Sequence, residues 1–323
     1  MFETIGNTWM WIGFAIFVVV ALAIDLLMLN KKKGEKVTSK EAVIWSLIWI
    51  SLSFVFAALL WWYLNANYDA AFARLKTTEF LTGYLIEKSL SVDNIFVFLM
   101  IFSFFAVPPE FQRRTLVIGI IGAIILRVLL ILVGAWLVAQ FHWVLYIFGA
   151  FLLITGLKMM IFANTTPDLN TNFLLKWIRG HFKLTDEYHG EQLTVLKNGV
   201  KYFTPLFVVI AMIAITDVVF AVDSIPAVFA ITQDPFIVMT SNIFAILGLR
   251  ALYFLLADLA ERFHFLSYGL ALVLMFVGTK MLIVEFYKIP IFISLGVVAA
   301  ILASAVLMSW LIKPTPPPIK ISS

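Results

Sequence analysis

Nine runs of strongly apolar residues follow one another along the chain, separated by polar segments. They fall at roughly 9–30, 43–65, 79–105, 115–139, 142–163, 203–231, 236–257, 264–285 and 290–312. About 20 such residues in a helix cross a bilayer core. The apolar positions run all the way round each predicted helix, which suits lipid and not the half-buried surface of a soluble domain. The pattern therefore predicts an all-α fold, a polytopic transmembrane helical bundle of about nine spans. The third and sixth runs exceed what the core needs, so tilt, a break or an interfacial extension is expected there. One connection is long, 164–202, and its "LTVLKNGVKYFTP" sets Asn198-Gly199 between β-rich runs. That predicts a small hairpin. The tail "KPTPPPIKISS" reads as extended chain.

Composition agrees with the pattern. The chain is 63% hydrophobic and 13% charged, against about 25% charged in soluble domains. It has no cysteine, which excludes disulfides, thiolate metal sites and cysteine nucleophiles. The opening "MFETIGNTWMW" has no basic residue before the first run, unlike a cleaved signal peptide, so that run is read as a retained helix. Of the 23 Lys and Arg residues, fifteen fall in alternate connections, three in the opposite set (Arg74, Lys76, Lys288) and five within spans. The positive-inside rule then predicts the N-terminus outside and the C-terminus inside.

The chain also repeats itself. "EKSLSVDN" at 87–94 matches "DVVFAVDS" at 217–224 as acid, five residues, Asp, then Asn or Ser. "ILRVLL" matches "GLRALY", aligning Arg127 with Arg250. "FHWVLYIFGAFLLITGLKMMI" matches "FHFLSYGLALVLMFVGTKMLI", aligning His142 with His264, Gly156 with Gly278 and Lys158 with Lys280. Each copy holds three spans, an odd number, so the copies face opposite ways across the membrane. Inverted repeats are common in secondary transporters, with the site near the midplane between the copies. The expected organisation is two N-terminal spans (1–78), repeat A (79–163), a cytoplasmic loop (164–202), repeat B (203–285), and a last span with its tail (286–323).

The two repeated motifs place Glu87, Asp93, Asp217 and Asp223 inside spans. A carboxylate at the bilayer centre costs at least about 2.5 kcal/mol on insertion scales, so each is expected to face a cavity or a partner. Residues six apart differ by about 120° around a helix and about 9 Å along it. The two acids of one motif are therefore successive stations on a path, or the helix between them is broken. Pro226 supplies a breaker in the sixth run and would free the Val222 carbonyl. With Asn94, Ser224 and the hydroxyls of Ser89, Ser91 and Thr216, the inventory is all oxygen. Such sites suit Mg²⁺, Ca²⁺ and Mn²⁺, whereas zinc, copper and nickel recruit His or Cys. The competing reading is that the acids only pair with Lys88, Arg127 and Arg250 to hold the bundle together, and these three bases are read as counter-charges. Asp25 sits where it could line the same cavity. Lys158 and Lys280 read as snorkelling residues, and Glu79, His142 and His264 as interfacial. In the long loop, His181, Asp186, Glu187, His189 and Glu191 form either a metal sensor or, more simply, a solvated polar segment.

"FLTGYLIEKSLSVDNIFVF", "DVVFAVDSIPAVFAITQDPFIV", "TSNIFAILGLRALYFLL" and "GTKMLIVEFY" resemble the TerC family of bacterial integral membrane proteins, and in particular its Alx branch, over about residues 9–312. The resemblance implies manganese export in Alx-type members, and a link to tellurium resistance or metal stress for the name-giving member. Carried onto this chain, its motifs implicate Glu87, Asp93, Asn94, Asp217, Asp223 and Ser224 as metal ligands. The expected function is an inner-membrane exporter of Mn²⁺, possible partner protons included because the same carboxylates titrate, with no cofactor. The rival is a membrane scaffold or stress-complex component that transports nothing. An enzyme ranks last, since no Ser-His-Asp set, zincin motif or phosphate-binding glycine loop occurs.

Overall fold

The computed structural model describes residues 4–31, 38–141, 143–162, 177–178, 180–185, 187–197, 199–257 and 265–312, without the side chains of 25–31, 39, 92, 93, 96, 162, 223, 257 and 291. Among the described residues the bundle is built from α1 (Thr8–Lys31), α2 (Ser39–Asn67), α3 (Ala70–Phe104), α4 (Pro109–Gln140), α5 (Val144–Phe162), α6 (Pro205–Phe229), α7 (Pro235–Ile246), α8 (Leu249–Ala257), α9 (Leu266–Leu282) and α10 (Ile291–Leu311). Each of the nine apolar runs is helical, and the chain is a polytopic helical membrane protein. Among the described residues, five helices are long and apolar enough to span a membrane, six if α7 and α8 form one bent span. The 35-residue α3 is not one of them, because Glu87, Lys88 and Asp93 interrupt its apolar character. At about 1.5 Å per residue it is about 50 Å long, well beyond a bilayer core.

Local chemistry sets the helix ends. Asp69 Oδ1 caps α3 by accepting from the Ala71 and Phe72 amides at 2.8 and 2.9 Å. Pro109, Pro205 and Pro235 occupy the first positions of α4, α6 and α7, where a missing N–H costs nothing. The break expected at Pro226 does not divide the sixth run. Pro226 lies inside α6, one turn from its end, and its carbonyl still accepts from the Ala230 amide at 3.0 Å. The break occurs instead between α7 and α8, at Leu247-Gly248, with a bend of 40°. Gly248 has φ +82°, and a Cβ there would lie 2.6 Å from the Trp49 ring. Only glycine suits that backbone and that contact.

Packing joins helices of the first half of the chain to helices of the second. The main contacts join α3 to α7, α4 to α6 and α5 to α9. These are the pairs a two-fold relation between the copies would produce, with α7–α8 standing opposite α4. The α5–α9 seam is reciprocal in detail. A Cβ on Gly156 would lie 2.8 Å from the Ala271 carbonyl oxygen, and one on Gly278 would lie 2.7 Å from that of Gly149. Counting along the aligned copies, Ala271 is the counterpart of Gly149 as Gly278 is of Gly156. Small residues let the backbones close, as helix pairs in lipid require.

The polar contacts at the two ends sort the connections by side. At one end Thr4 Oγ1 and the Ile5 amide donate to Asp234 at 2.8 and 2.9 Å. Nearby, Lys76 Nζ and Thr232 Oγ1 donate to Glu79 Oε2 at 2.9 and 2.6 Å. At the other end the predicted hairpin forms: β1 (Thr194–Lys197) pairs antiparallel with β2 (Val200–Phe203). Tyr188 Oη donates to the Phe105 carbonyl at 2.8 Å, and Arg114 pairs with Glu191 at 2.5 Å.

Candidate functional site

The bundle's centre is polar although its walls are not. On α3, Glu87, Ser91 and Asn94 stand at i, i+4 and i+7, one face of a helix. They are 0%, 1% and 2% exposed. Gly83, one turn earlier, lets this face approach α7: a Cβ there would lie 2.9 Å from Ser241 Oγ. From α6 come Asp217 and Ser224, from α4 Arg127, and from α7 Asn242, all buried.

Arg127 joins them. Its Nε and Nη2 donate to Asp217 Oδ2 and Oδ1 at 2.9 and 3.0 Å, a two-point fork. Its Nη1 donates to Glu87 Oε1, to Asn242 Oδ1 at 2.8 Å and to Ser224 Oγ at 3.4 Å. Asn94 Nδ2 completes the set, 3.4 Å from Asp217 Oδ1. Glu87 and Asp217 hold matching positions in the two repeats, so one guanidinium bridges both copies.

The network is not closed. Glu87 Oε2, Ser91 Oγ, Asn94 Oδ1 and Asn242 Nδ2 are buried and have no hydrogen-bond partner among the described residues. Three of these are oxygens on the single face of α3. A buried polar group without a partner costs about 1–3 kcal/mol, so each of these atoms calls for one.

Lys88 turns away from its neighbour Glu87. Its Nζ donates to the Ala245 and Leu247 carbonyls at 3.1 and 3.4 Å, at the C-terminal end of α7 where backbone acceptors are exposed and the helix dipole favours a cation. Lys88 therefore caps the broken helix, and among the described residues its partners are these backbone carbonyls. Arg250, the counterpart of Arg127, is also buried. Asp25, Asp93 and Asp223 lie on α1, α3 and α6, with side chains outside the described set. Pro226 sits one half-turn beyond Ser224 in unbroken helix.

The weaker candidates separate clearly. His181 stacks on Trp177 with centroids 4.6 Å apart, and Glu191 is taken by Arg114. Asp186, Asn198, His142 and His264 lie outside the described residues. Among the described residues no three His, Asp or Glu side chains gather as a metal cluster, in the loop or elsewhere. Glu79, expected at the interface, is 8% exposed and held by Lys76 and Thr232. Lys158 is exposed, as a snorkelling residue would be. Asn242 is the residue that reading the sequence did not single out. Its signal was present: an amide inside the apolar run 236–257, as anomalous there as Asn94 is in its own run.

A polytopic helical membrane protein with a buried carboxylate–guanidinium network is thereby defined. The chain belongs to the TerC family: the family model, "Integral membrane protein TerC family", matches residues 72–316. It is 53% identical over 309 residues to the membrane-bound redox modulator Alx of Escherichia coli (strain K12), covering 95% of this chain and 96% of that protein. A membrane protein of Myxococcus xanthus, STKORF319, is 44% identical over 308 residues, covering 95% of this chain and 94% of its own. A membrane protein of Rickettsia felis is 42% identical over 299 residues, covering 93% and 96%. No solved structure matches this chain.

Proposed function

We propose that this protein exports Mn²⁺, or a similarly hard divalent cation, from the cytoplasm across the inner membrane, with its N-terminus outside and its C-terminus inside. The observation that carries the reading is the row of buried oxygens on α3 (Glu87 Oε2, Ser91 Oγ and Asn94 Oδ1) that have no hydrogen-bond partner among the described residues, beside a carboxylate pair. Hard cations take six or more oxygen ligands. Glu87, Asn94, Asp217 and Ser224 would supply them, with Asp93 and Asp223 further along the same helices and Ser91 added from the geometry.

The chain's own groups fit the task in three ways. Glu87 and Asp217 come from opposite copies, so a cation between them is held by both halves. Rocking of one half against the other changes which side reaches it. The break at Gly248 gives the α7–α8 span a hinge beside the site. A metal and protons compete for the same carboxylate oxygens, which makes proton exchange the proposed coupling. No enzymatic chemistry is proposed.

The relatives' name raises a redox reading. This chain has no cysteine, so it has no thiol of its own to exchange electrons. A redox effect would run through the ions it moves or the proteins it contacts. The scaffold reading predicts that buried acids matter to assembly alone.

Purified protein in liposomes decides between them. Mn²⁺ flux should appear with wild type and vanish with Glu87→Gln at equal protein content. No flux above empty vesicles, with Mn²⁺, Ca²⁺ and Mg²⁺ each tried, would favour the scaffold.

A further inference from the structure

We infer that Arg127 is a tethered stand-in for the transported cation: its guanidinium holds the two carboxylates between transport events, and an entering divalent ion must displace it. This rests on the export reading above and assigns Arg127 a role in selecting the ion. The geometry points there because Arg127 occupies the position a shared cation would need. It is 1% exposed and touches both Glu87 and Asp217, the only two site carboxylates among the described side chains. A metal ion held by both copies and a guanidinium held by both copies exclude each other.

Charge explains why such a stand-in helps. Two buried carboxylates with nothing between them would repel across a medium of low dielectric, and the empty carrier would be costly to reorient. One guanidinium cancels one of the two charges. Its neighbour Lys88 is committed elsewhere, to the α7 carbonyls. The exchange is then a substitution in which no covalent bond changes: the cation arrives, both carboxylates turn to it, and the guanidinium leaves.

The displaced group has a place to stay. Its Nη1 already donates to Asn242 Oδ1 at 2.8 Å and lies 3.4 Å from Ser224 Oγ. Asn242 is a neutral acceptor outside the proposed ligand set and can keep the guanidinium after the acids and Ser224 have turned to the ion. The arginine need not leave the protein interior, only shift from charged partners to a neutral one.

The same substitution sets a threshold. A sodium or potassium ion brings no more charge than the guanidinium already supplies, and it would forfeit the planar fork on Asp217. A divalent ion brings twice the charge. Arg127 therefore discriminates by valence before ligand geometry discriminates by size. Asn242 becomes a positioning residue for the displaced arginine, touching the guanidinium and not the ion.

The test uses full-length protein in liposomes, with Mn²⁺ alone as the probe. In sodium-free choline buffer, Arg127→Met should bind Mn²⁺ about tenfold tighter than wild type, the size of a typical coupling between two competing occupants. Its turnover should fall, because nothing resets the site. Sodium at physiological level should weaken Mn²⁺ binding to the variant and leave wild type unchanged. Arg127→Lys should restore the insensitivity to sodium. A purely structural arginine would give a variant with weaker Mn²⁺ binding and no sodium effect, which would overturn the inference. A wild-type measurement covers the case in which the variant does not fold. Infrared difference spectra with ¹⁵N-arginine should show a guanidinium band that shifts when Mn²⁺ is added; an unshifted band in protein that binds Mn²⁺ would overturn the swap and leave the export reading intact. Wild type that binds no Mn²⁺ would overturn both.

Discussion

Glu87 and Asp217, 130 positions apart in the chain, meet on one guanidinium, that of Arg127. They are the matching acids of two similar motifs in the sequence, 87–94 and 217–224. Their convergence turns a periodicity in the sequence into a single place in the molecule, and most of the testable consequences start there.

The two acids are not equivalent supports. Asp217 accepts the full fork, whereas Glu87 accepts one N–H, and its Oε2 has no partner among the described residues. Asp217→Asn removes the charged half of a bidentate pair and leaves Arg127 poorly compensated, a change that costs about 3–5 kcal/mol in buried pairs. Glu87→Gln leaves the fork intact. Both variants should lose Mn²⁺ flux, but only Asp217→Asn should also lower the melting temperature in detergent substantially. Equal destabilisation by both, with flux proportional to surviving protein, would mean that the acids only support the bundle.

The hinge between α7 and α8 depends on two contacts. Gly248 holds φ +82° with Trp49 packed against it, and Lys88 caps the Ala245 and Leu247 carbonyls. Gly248→Ala should destabilise by about 1–3 kcal/mol, since a side chain at that φ is strained before it meets the indole. Trp49→Ala added to it should recover the part of the loss due to collision and none of the part due to φ. Thermal melts of the single and double variants in one detergent separate the two contributions. An alanine variant as stable as wild type would show that the turn can relax.

Much of this was legible from residue pattern. The helical runs and the hairpin at 194–203 follow from apolar periodicity and from turn chemistry at Asn198-Gly199, because in lipid a helix satisfies its own backbone and a two-residue Asn-Gly turn closes a hairpin. The partner of Glu87 and Asp217 was legible only as a class: Arg127 was a counter-charge, but which acid it served depended on α4 crossing α6. The break was misplaced for a physical reason. Pro226 removes one hydrogen bond near a helix end, where the ladder is already thinning, and α6 tolerates it. Leu247-Gly248 looks milder in sequence, yet a left-handed glycine redirects the chain entirely. Lys88 was read beside Glu87 in sequence; it turned instead to backbone carbonyls that no side-chain pattern reveals.

Orientation can be tested with the chain's own chemistry. It has no cysteine, so single introduced thiols report without background. Gln233 adjoins Asp234, which anchors the N-terminal segment, and Lys201 lies on the hairpin at the opposite end. With the N-terminus outside, Gln233→Cys in whole cells should react with a membrane-impermeant maleimide and Lys201→Cys should not, until the cells are opened. The reverse pattern would overturn the orientation and, with it, the direction in which each repeat faces.

The last expectation concerns protons. Metal binds the deprotonated carboxylate, so protons compete with it and apparent Mn²⁺ affinity should weaken as pH falls. Arg127 limits how many protons are involved. Between Glu87 and Asp217 the guanidinium already meets one of two negative charges, so at most one proton is needed there to neutralise the empty site. Binding of Mn²⁺ then releases a guanidinium contact and up to one proton from this pair, where an arginine-free pair would release up to two. Calorimetry in two buffers of different ionisation enthalpy gives the number directly, from the slope of observed heat against buffer enthalpy. Wild type should release fewer protons than Arg127→Met at the same pH. Equal release from both would mean that the arginine does not share the carboxylates' charge. No release from either, with affinity flat from mildly acidic to alkaline pH, would remove proton exchange from the transport cycle.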